Sequence, residues 1–267
     1  AGVVFMVGEY LEANPADKNF VEHLFQTFVI PCANWLSTFV DQETGLPHAS
    51  YDLWEEKFLT STYTVSVTIA GLESAARMAM FFDHPEESSR WHKAADSIRQ
   101  NLDKLYHPDG YFRKGLLLQE NGEIQYDDTL DISSLYGPFM YVGLPIDDER
   151  LRSTAKQIDE KLLNSSPSGG VLRYEYDNYF LTKREYKGNP WIVSTLWLAQ
   201  YYSTAKQPEK AQQLLDWALA HELPSGALSE QFDPENGSPL GVTPLVWSHA
   251  EMVNTILDLN KDAKSSV

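Results

Sequence analysis

Cysteine is almost absent. Cys32 is the one thiol in 267 residues, so no intrachain disulfide and no thiolate metal cluster can form. It lies in an apolar helical stretch and is expected to be a small buried residue. Basic residues are also scarce: 21 Lys and Arg stand against 38 Asp and Glu, a formal net charge of −17. Nucleic acid and anionic membrane surfaces both need a positive footprint, so neither is an expected partner. A neutral ligand meets no electrostatic penalty, and the acidity also serves solubility. Long apolar runs are missing, since polar residues interrupt each one before the ~18 residues that a membrane-spanning helix needs. No basic leader opens the chain. These absences lean towards a cytoplasmic setting, although the chain begins at Ala1 rather than Met, inside a helical pattern, as expected where an upstream segment has been removed. Linkers, charge runs and low-complexity tracts are lacking too, so one domain over residues 1–267 is expected.

What is present is apolar periodicity. With 43% hydrophobic residues the chain can bury a sizeable core. Helical patterns run over 1–13, 16–41, 61–83, 87–106, 131–141, 148–164, 189–204, 208–221 and 243–260. In 16–41 the apolar positions recur at Phe20, Leu24, Phe28, Ile30 and Trp35, with Pro31 as a point of division. In 61–83 the stripe is Val65, Ile69, Leu72, Ala76 and Met80, and in 208–221 it is Ala211, Leu214, Leu215, Ala218 and Leu219. Asp83-His84-Pro85 and Gln207-Pro208 end one helix and start the next. Short connections alternate with long ones at 42–60, 107–130, 165–188 and 222–242, which are rich in Gly, aromatics and acids. This alternation predicts an all-α toroid of helical hairpins, an α/α barrel with its long loops gathered at one mouth. A generic helical bundle or solenoid is the plainer alternative.

Two of the long loops carry paired chemistry. Tyr51-Asp52-Leu53-Trp54-Glu55-Glu56 sets adjacent carboxylates beside aromatic rings, and Glu230 lies in Ser229-Glu230-Gln231-Phe232-Asp233. Aromatic rings stack on the apolar face of a pyranose, and glycosidic cleavage needs one carboxyl to protonate the leaving oxygen and another to act opposite it. Glu55 and Glu56 are candidates for the first role and Glu230 for the second. The plain rival is that Glu55-Glu56 marks a solvated helix start favoured by the helix dipole.

The first of these segments, with Ser50 in front, resembles the general-acid segment of the glucoamylase family, glycoside hydrolase family 15. Leu172-Arg173-Tyr174 resembles the family's arginine segment, and Gly188-Asn189-Pro190-Trp191 its Gly-Asn-Pro-Trp motif. Ser229–Asp233 resembles the general-base segment, and Pro244-Leu245-Val246-Trp247-Ser248-His249-Ala250-Glu251 the last-helix motif. Five motifs in order cover about residues 40–260. The resemblance implies an (α/α)6 barrel, here incomplete with about nine of twelve helices, because the acid segment normally follows the fifth helix and only about two precede Glu55. It implies an inverting, exo-acting hydrolase that releases glucose from the non-reducing ends of α-glucans or α-gluco-oligosaccharides. Glu55 would be the general acid and Glu230 the general base. Tyr51, Asp52 and Trp54 would shape the glucose subsite, Glu56 would bind the neighbouring sugar, Arg173 would hydrogen-bond sugar hydroxyls, and Trp191 would wall the cleft.

Each role has a structural rival. Trp54 and Trp191 could be core residues, Arg173 could pair with Glu175 or Asp177, and Tyr51 and Asp52 could simply shape the loop. Trp247 and His249 are assigned to packing and a structural hydrogen bond, and His84, His92 and His107 to the surface. No cofactor is expected. Nor is a metal, because capping and turns account for the acidic clusters Asp127, Asp128, Asp131 and Asp233, Glu235. An incomplete barrel would expose apolar helix faces and favour association with a missing N-terminal segment or self-association. Alternative functions are a trehalase or glucodextranase of the same family, a non-catalytic carbohydrate-binding or regulatory domain of the kind found in kinase regulatory subunits, and an unrelated toroidal lyase or epimerase.

Overall fold

The computed structural model describes residues 1–265. Its contacts divide them into two compact units. One holds residues 1–106, 113–128 and 140–143, and the other holds 107–112, 129–139 and 144–265. The chain passes between them more than once, so no single linker separates them and the sequence shows no break.

The first unit begins with α1 (Gly2–Ala13), α2 (Lys18–Leu24) and α3 (Ile30–Thr38). A wide π turn at Phe25–Val29 joins α2 to α3. Pro31 cannot donate to the preceding turn and its ring crowds that turn's carbonyl, and a widened turn relieves both. The buried stripe here is Val21, Phe25, Val29, Ala33 and Leu36, while Phe20 and Trp35 are exposed. It is therefore displaced by one residue from the expected Phe20–Trp35 stripe. Apolar pairs at 20–21, 24–25 and 28–29 make both registers equally periodic. Tertiary packing chooses, through Phe25 against Phe82, His84 and Trp91.

Next come β1 (Ser50–Tyr51), β2 (Phe58–Ser61), α4 (Thr62–Phe81) and α5 (Pro85–Arg99). Ser61 caps α4 by accepting from the Thr64 amide, a cap worth about 1 kcal/mol. Asp83, at φ 62°, turns the chain between α4 and α5. α4 is buried on most sides and packs against α1 and the amphipathic α5, the inner-and-outer arrangement of a helical hairpin. Val65, Ile69, Leu72 and Ala76 are buried as expected, but Met80 is exposed while Met78 and Ala79 of the same turn are buried, so the buried face there lies beside the expected stripe. α1 buries Val4, Gly8 and Leu11 and leaves Val3, Met6 and Tyr10 exposed. Cys32 is half-buried rather than enclosed.

The long loop at 107–130 contains a hairpin that helical periodicity does not reveal. After β3 (Tyr106–His107), β4 (Tyr111–Leu118) and β5 (Ile124–Leu130) pair with each other around Asn121-Gly122, with Gly122 at φ 82°. Strand order is β1-β2-β4-β3, with β5 also on β4. Gly115 faces Ser61 across the antiparallel β2–β4 register, where a Cβ would lie 2.5 Å from the Thr60 carbonyl. Only glycine lets the two strands come this close.

After the hairpin comes the single turn α6 (Ser133–Tyr136), which widens into a π turn at Gly137–Val142 containing Pro138. α7 (Glu149–Lys161) follows, capped by Asp148. Then come β6 (Val171–Leu172), β7 (Pro190–Trp191), α8 (Ile192–Thr204), α9 (Pro208–Ala220), β8 (Gln231–Phe232), β9 (Pro239–Leu240) and α10 (Val246–Ser265). α8 is buried from Ile192 to Ser203 and packs against α9 and α10, repeating the inner-and-outer hairpin. Ala211, Leu214, Leu215 and Ala218 of α9 are buried, whereas Leu219 is exposed. Ile192, Leu196, Leu215, Phe232 and Met252 share one core cluster. The short strands form a second sheet in the order β6-β7-β8-β9. Among the described residues, no helix is long and apolar enough to cross a membrane.

Candidate active site

Tyr51 pairs with Phe58 across β1 and β2, so residues 52–57 form the loop between them. The loop is organised around Asp52. Its Oδ1 accepts from the amides of Glu56 (2.9 Å) and Lys57 (3.3 Å), and its backbone bonds to Lys57 and Glu55. Its Oδ2 lies 3.1 Å from Lys114 Nζ on β4, and both side chains are only 2% exposed. Around this buried ion pair Glu55 takes a left-handed φ of 57°, which costs a non-glycine residue about 1–2 kcal/mol. Such strain persists only where its surroundings enforce it. Glu55 and Glu56 are exposed in a turn, so the helix-start alternative does not hold. Trp54 is largely buried, as its core alternative had it, while Tyr51 is exposed and meets Phe58 edge-on.

The second unit brings Arg173, Trp191 and Glu230 to neighbouring strands. Arg173 follows β6 and donates from Nε and Nη2 to Asp177 at 2.7 and 2.8 Å, with both residues buried. The ion-pair alternative is thus realised with Asp177, and Glu175 pairs with Lys187 instead. The Arg173 guanidinium also sits 4.4 Å from the Trp191 ring and 5.0 Å from that of Tyr179. Trp191 is buried on β7, opposite Gln231 on β8.

Glu230 immediately precedes β8. Its amide donates to Val242 and its carbonyl accepts from Ile192, which anchors the backbone on both sides. Its half-buried carboxylate accepts from Gln231 Nε2 at 3.2 Å. Gln231 Oε1 in turn accepts from Asn189 Nδ2 at 2.7 Å, and Asn189 Nδ2 also reaches the Phe180 carbonyl. Gly241, at φ 71°, lies against the carboxylate, and a Cβ there would come within 2.1 Å of Oε2. Behind this segment His249 Nε2 accepts from the Leu228 amide, and Trp247 donates to Glu251 at 3.3 Å, the supporting roles expected of them. Glu55 and Glu230 fall in different units.

Lys114, Asn189, Gln231 and Gly241 hold these groups and are given no role of their own by the sequence, whereas Asp177 is there a possible partner of Arg173. Two signals bear on them: a charged pair inside an apolar strand at Arg113-Lys114, and polar residues inside the quoted motifs.

The acidic clusters have protein partners. Asp127 pairs with Lys57, Asp128 accepts from Arg113, and Asp131 accepts from the Ser133 amide. Glu73, His92 and Asp96 bring their potential ligand atoms within 4.8 Å of one another, but Arg99 bonds both carboxylates and already supplies the positive charge. His92 is exposed, whereas His84 and His107 are half-buried, the first edge-on to Phe25 and the second stacked on Tyr111.

Asp233 closes the Glu230 segment. Burial pushes its carboxyl upward, but the Thr182 hydroxyl, the Asn236 and Glu235 amides and the Lys183 charge together hold it below the usual range. Because its folded pKa lies below its unfolded one, ionised Asp233 stabilises the fold at neutral pH. That contribution is lost as pH falls below about 4. Asp233→Asn is therefore expected to lower unfolding free energy at pH 7, with the gap to wild type closing as pH falls below about 4. Urea titrations across that range measure it, and a constant gap rules the linkage out.

Comparison with known proteins bears on both segments. The chain is 28% identical over 258 residues to an uncharacterized glycosyl hydrolase of Methanocaldococcus jannaschii, covering 92% of this chain and 39% of that protein. It is 26% identical to Trehalase 2 of Sulfolobus acidocaldarius, again covering 92% and 39%. The chain thus spans about two-fifths of the length of these curated relatives. Among solved structures, a bacterial glucoamylase complexed with acarbose superposes with a TM-score of 0.76 at 22% identity, covering 90% of this chain and 38% of that one. This likeness shows the fold, the (α/α)6 barrel class of the glucoamylases. The profile described as Glycosyl hydrolases family 15 matches residues 38–221 and 208–257, taking in both carboxylate-bearing loops and most of the chain between them, and the chain belongs to that family.

Proposed function

We propose that this chain carries the acid–base machinery of an inverting, exo-acting glycoside hydrolase that releases glucose from the non-reducing ends of α-glucans or α-gluco-oligosaccharides. The observation that carries the reading is the Glu55 turn. An exposed carboxylate is held in a strained left-handed conformation by a buried ion pair, within a segment matched by the family profile. Glu55 donates its proton to the glycosidic oxygen as the bond from C1 breaks. Glu230 takes a proton from water as the water oxygen bonds to C1 from the opposite face, so an α-linkage yields β-glucose. Tyr51, Asp52 and Trp54 shape the glucose subsite, with Asp52 acting mainly through the loop it organises. Glu56 binds the neighbouring sugar, Arg173 orients hydroxyls, and Trp191 walls the site. The exposed Val3, Met6 and Tyr10 stripe supports association with a further helical segment or a second copy.

The similarity to Trehalase 2 favours a second reading, hydrolysis of trehalose. Proton NMR of the first-formed product from maltose, isomaltose and trehalose, with the intact polypeptide, distinguishes them. β-Glucose from maltose or isomaltose supports the glucan reading, and turnover of trehalose alone supports the second. Retention at the attacked C1 overturns inversion. It is seen as first-formed α-glucose from the non-reducing half of maltose or isomaltose, or as two α-glucose rather than one α and one β from trehalose. Sugar binding without turnover points to a non-catalytic domain.

A further inference from the structure

The loop between β6 and β7 holds a cavity of about 440 Å³, lined by Tyr176, Asn178, Leu181, Arg184 and Tyr186. Its size lies within the range of about 300–1,000 Å³ usual for small-molecule sites. None of the residues given a part in the acid–base chemistry lines it. We propose that the cavity binds a monosaccharide carrying one anionic group, a phosphate or a carboxylate.

Arg184 supplies the anion-binding group. Among the described residues, every other arginine meets a carboxylate or side-chain amide oxygen, as Arg77 meets Glu12, Arg90 Asn34 and Arg173 Asp177. Arg184 meets none, although acidic residues outnumber basic ones by 38 to 21. Its side chain is exposed, and no carboxylate lines the cavity beside it. The neighbouring cations are already engaged. Lys183 pairs with Glu235 at 2.8 Å, with Glu185 adding to that field, and Lys187 pairs with Glu175 at 3.1 Å. A guanidinium offers a planar fork of donors that matches the oxygens of a phosphate or carboxylate.

The rest of the lining suits a sugar ring. Tyr176 and Tyr186 offer aromatic faces for its apolar side, and the Asn178 amide can donate to and accept from hydroxyls. Tyr176 is 68% exposed and sits at a left-handed φ of 64°, strain that persists only where the surroundings enforce it. The loop is pinned around the cavity. The Leu181 amide donates to the Asn178 carbonyl and the Tyr186 amide to that of Lys183. Thr182 donates to Asp233 at 2.6 Å, and Asn189 Nδ2 donates to the Phe180 carbonyl at 2.9 Å. Walls fixed in advance lower the ordering cost of binding.

Calorimetry on the intact polypeptide with glucose 6-phosphate, glucuronate, glucose and inorganic phosphate tests this site without depending on turnover. At least one anionic sugar is expected to bind about tenfold tighter than glucose, the usual worth of a charge-assisted hydrogen bond. Tighter binding of glucose 6-phosphate identifies a phosphorylated sugar as the ligand, and tighter binding of glucuronate identifies a uronic acid. Arg184→Gln changes an exposed side chain without a protein partner, so the fold stays intact, and the ratio of anionic sugar to glucose should fall to about one. Arg184→Lys should keep part of it. Equal binding of glucose and both anionic sugars overturns the site, and so does a preference that Arg184→Gln leaves unchanged. Inorganic phosphate binding as tightly as glucose 6-phosphate overturns the sugar assignment, since the cavity then holds an anion alone.

Discussion

Glu55→Gln lowers kcat on an α-glucoside by about 10²–10⁴-fold, the usual worth of a positioned proton donor, and leaves unfolding unchanged. The fold is indifferent because the Glu55 side chain is exposed and the turn that holds it depends on Asp52, not on the Glu55 carboxylate. Gln keeps the shape and the left-handed backbone but cannot give up a proton to the departing oxygen. The loss must therefore depend on the leaving group. α-Glucosyl fluoride departs as fluoride and needs no proton, so the variant should hydrolyse it at close to the wild-type rate. Glu230→Gln behaves differently. Without a base to activate water it loses rate on both substrates, and azide, a nucleophile that needs no deprotonation, restores turnover. Steady-state kinetics on the two substrates, with and without azide, separate the roles. Wild-type kcat for Glu55→Gln on the glucoside removes the acid assignment, and equal losses on glucoside and fluoride make its role electrostatic or structural instead.

The motif segments can be read from sequence because each is contiguous: the side chain that would meet the sugar and the backbone that presents it lie within seven residues. Helix positions are legible for a similar local reason, since capping residues such as Ser61 and Asp148 and breakers such as Pro85 and Pro208 act on their own neighbours. The register of the stripe through Phe25 is not legible, because both candidate faces are apolar and only Phe82 and Trp91, more than fifty residues away, distinguish them. The β4–β5 hairpin escapes for another reason. Its strands hide Arg113 and Lys114 among apolar residues, and the burial of those charges makes sense only once Tyr106, Asp128 and Asp52 are alongside. The same holds for Gln231 and Gly241. One relays orientation from Asn189 to Glu230 and the other makes room for its carboxylate, and neither carries chemistry that a motif would flag.

Lys114→Met should be strongly destabilising. Met matches the length of the Lys stem, so no cavity opens, and the effect isolates the charge. Asp52 remains 2% exposed with its counterion gone, a condition that costs about 3–5 kcal/mol, a large fraction of the 5–15 kcal/mol that holds a domain together. The carboxylate cannot simply turn to water, because Oδ1 is committed to the Glu56 and Lys57 amides that close the loop. Either an unpaired charge stays buried or the loop opens, and an open loop frees Glu55 from φ 57°. Stability and kcat should therefore fall together, in contrast to Glu55→Gln, where only kcat falls. Asp52→Asn in the Lys114→Met background removes the stranded charge while keeping an acceptor at Oδ1, and should recover much of the lost stability. Urea unfolding of the two single variants and the double variant gives the coupling directly. If Lys114→Met unfolds within about 0.5 kcal/mol of wild type, the size of an ordinary surface substitution, the ion pair does not organise the turn.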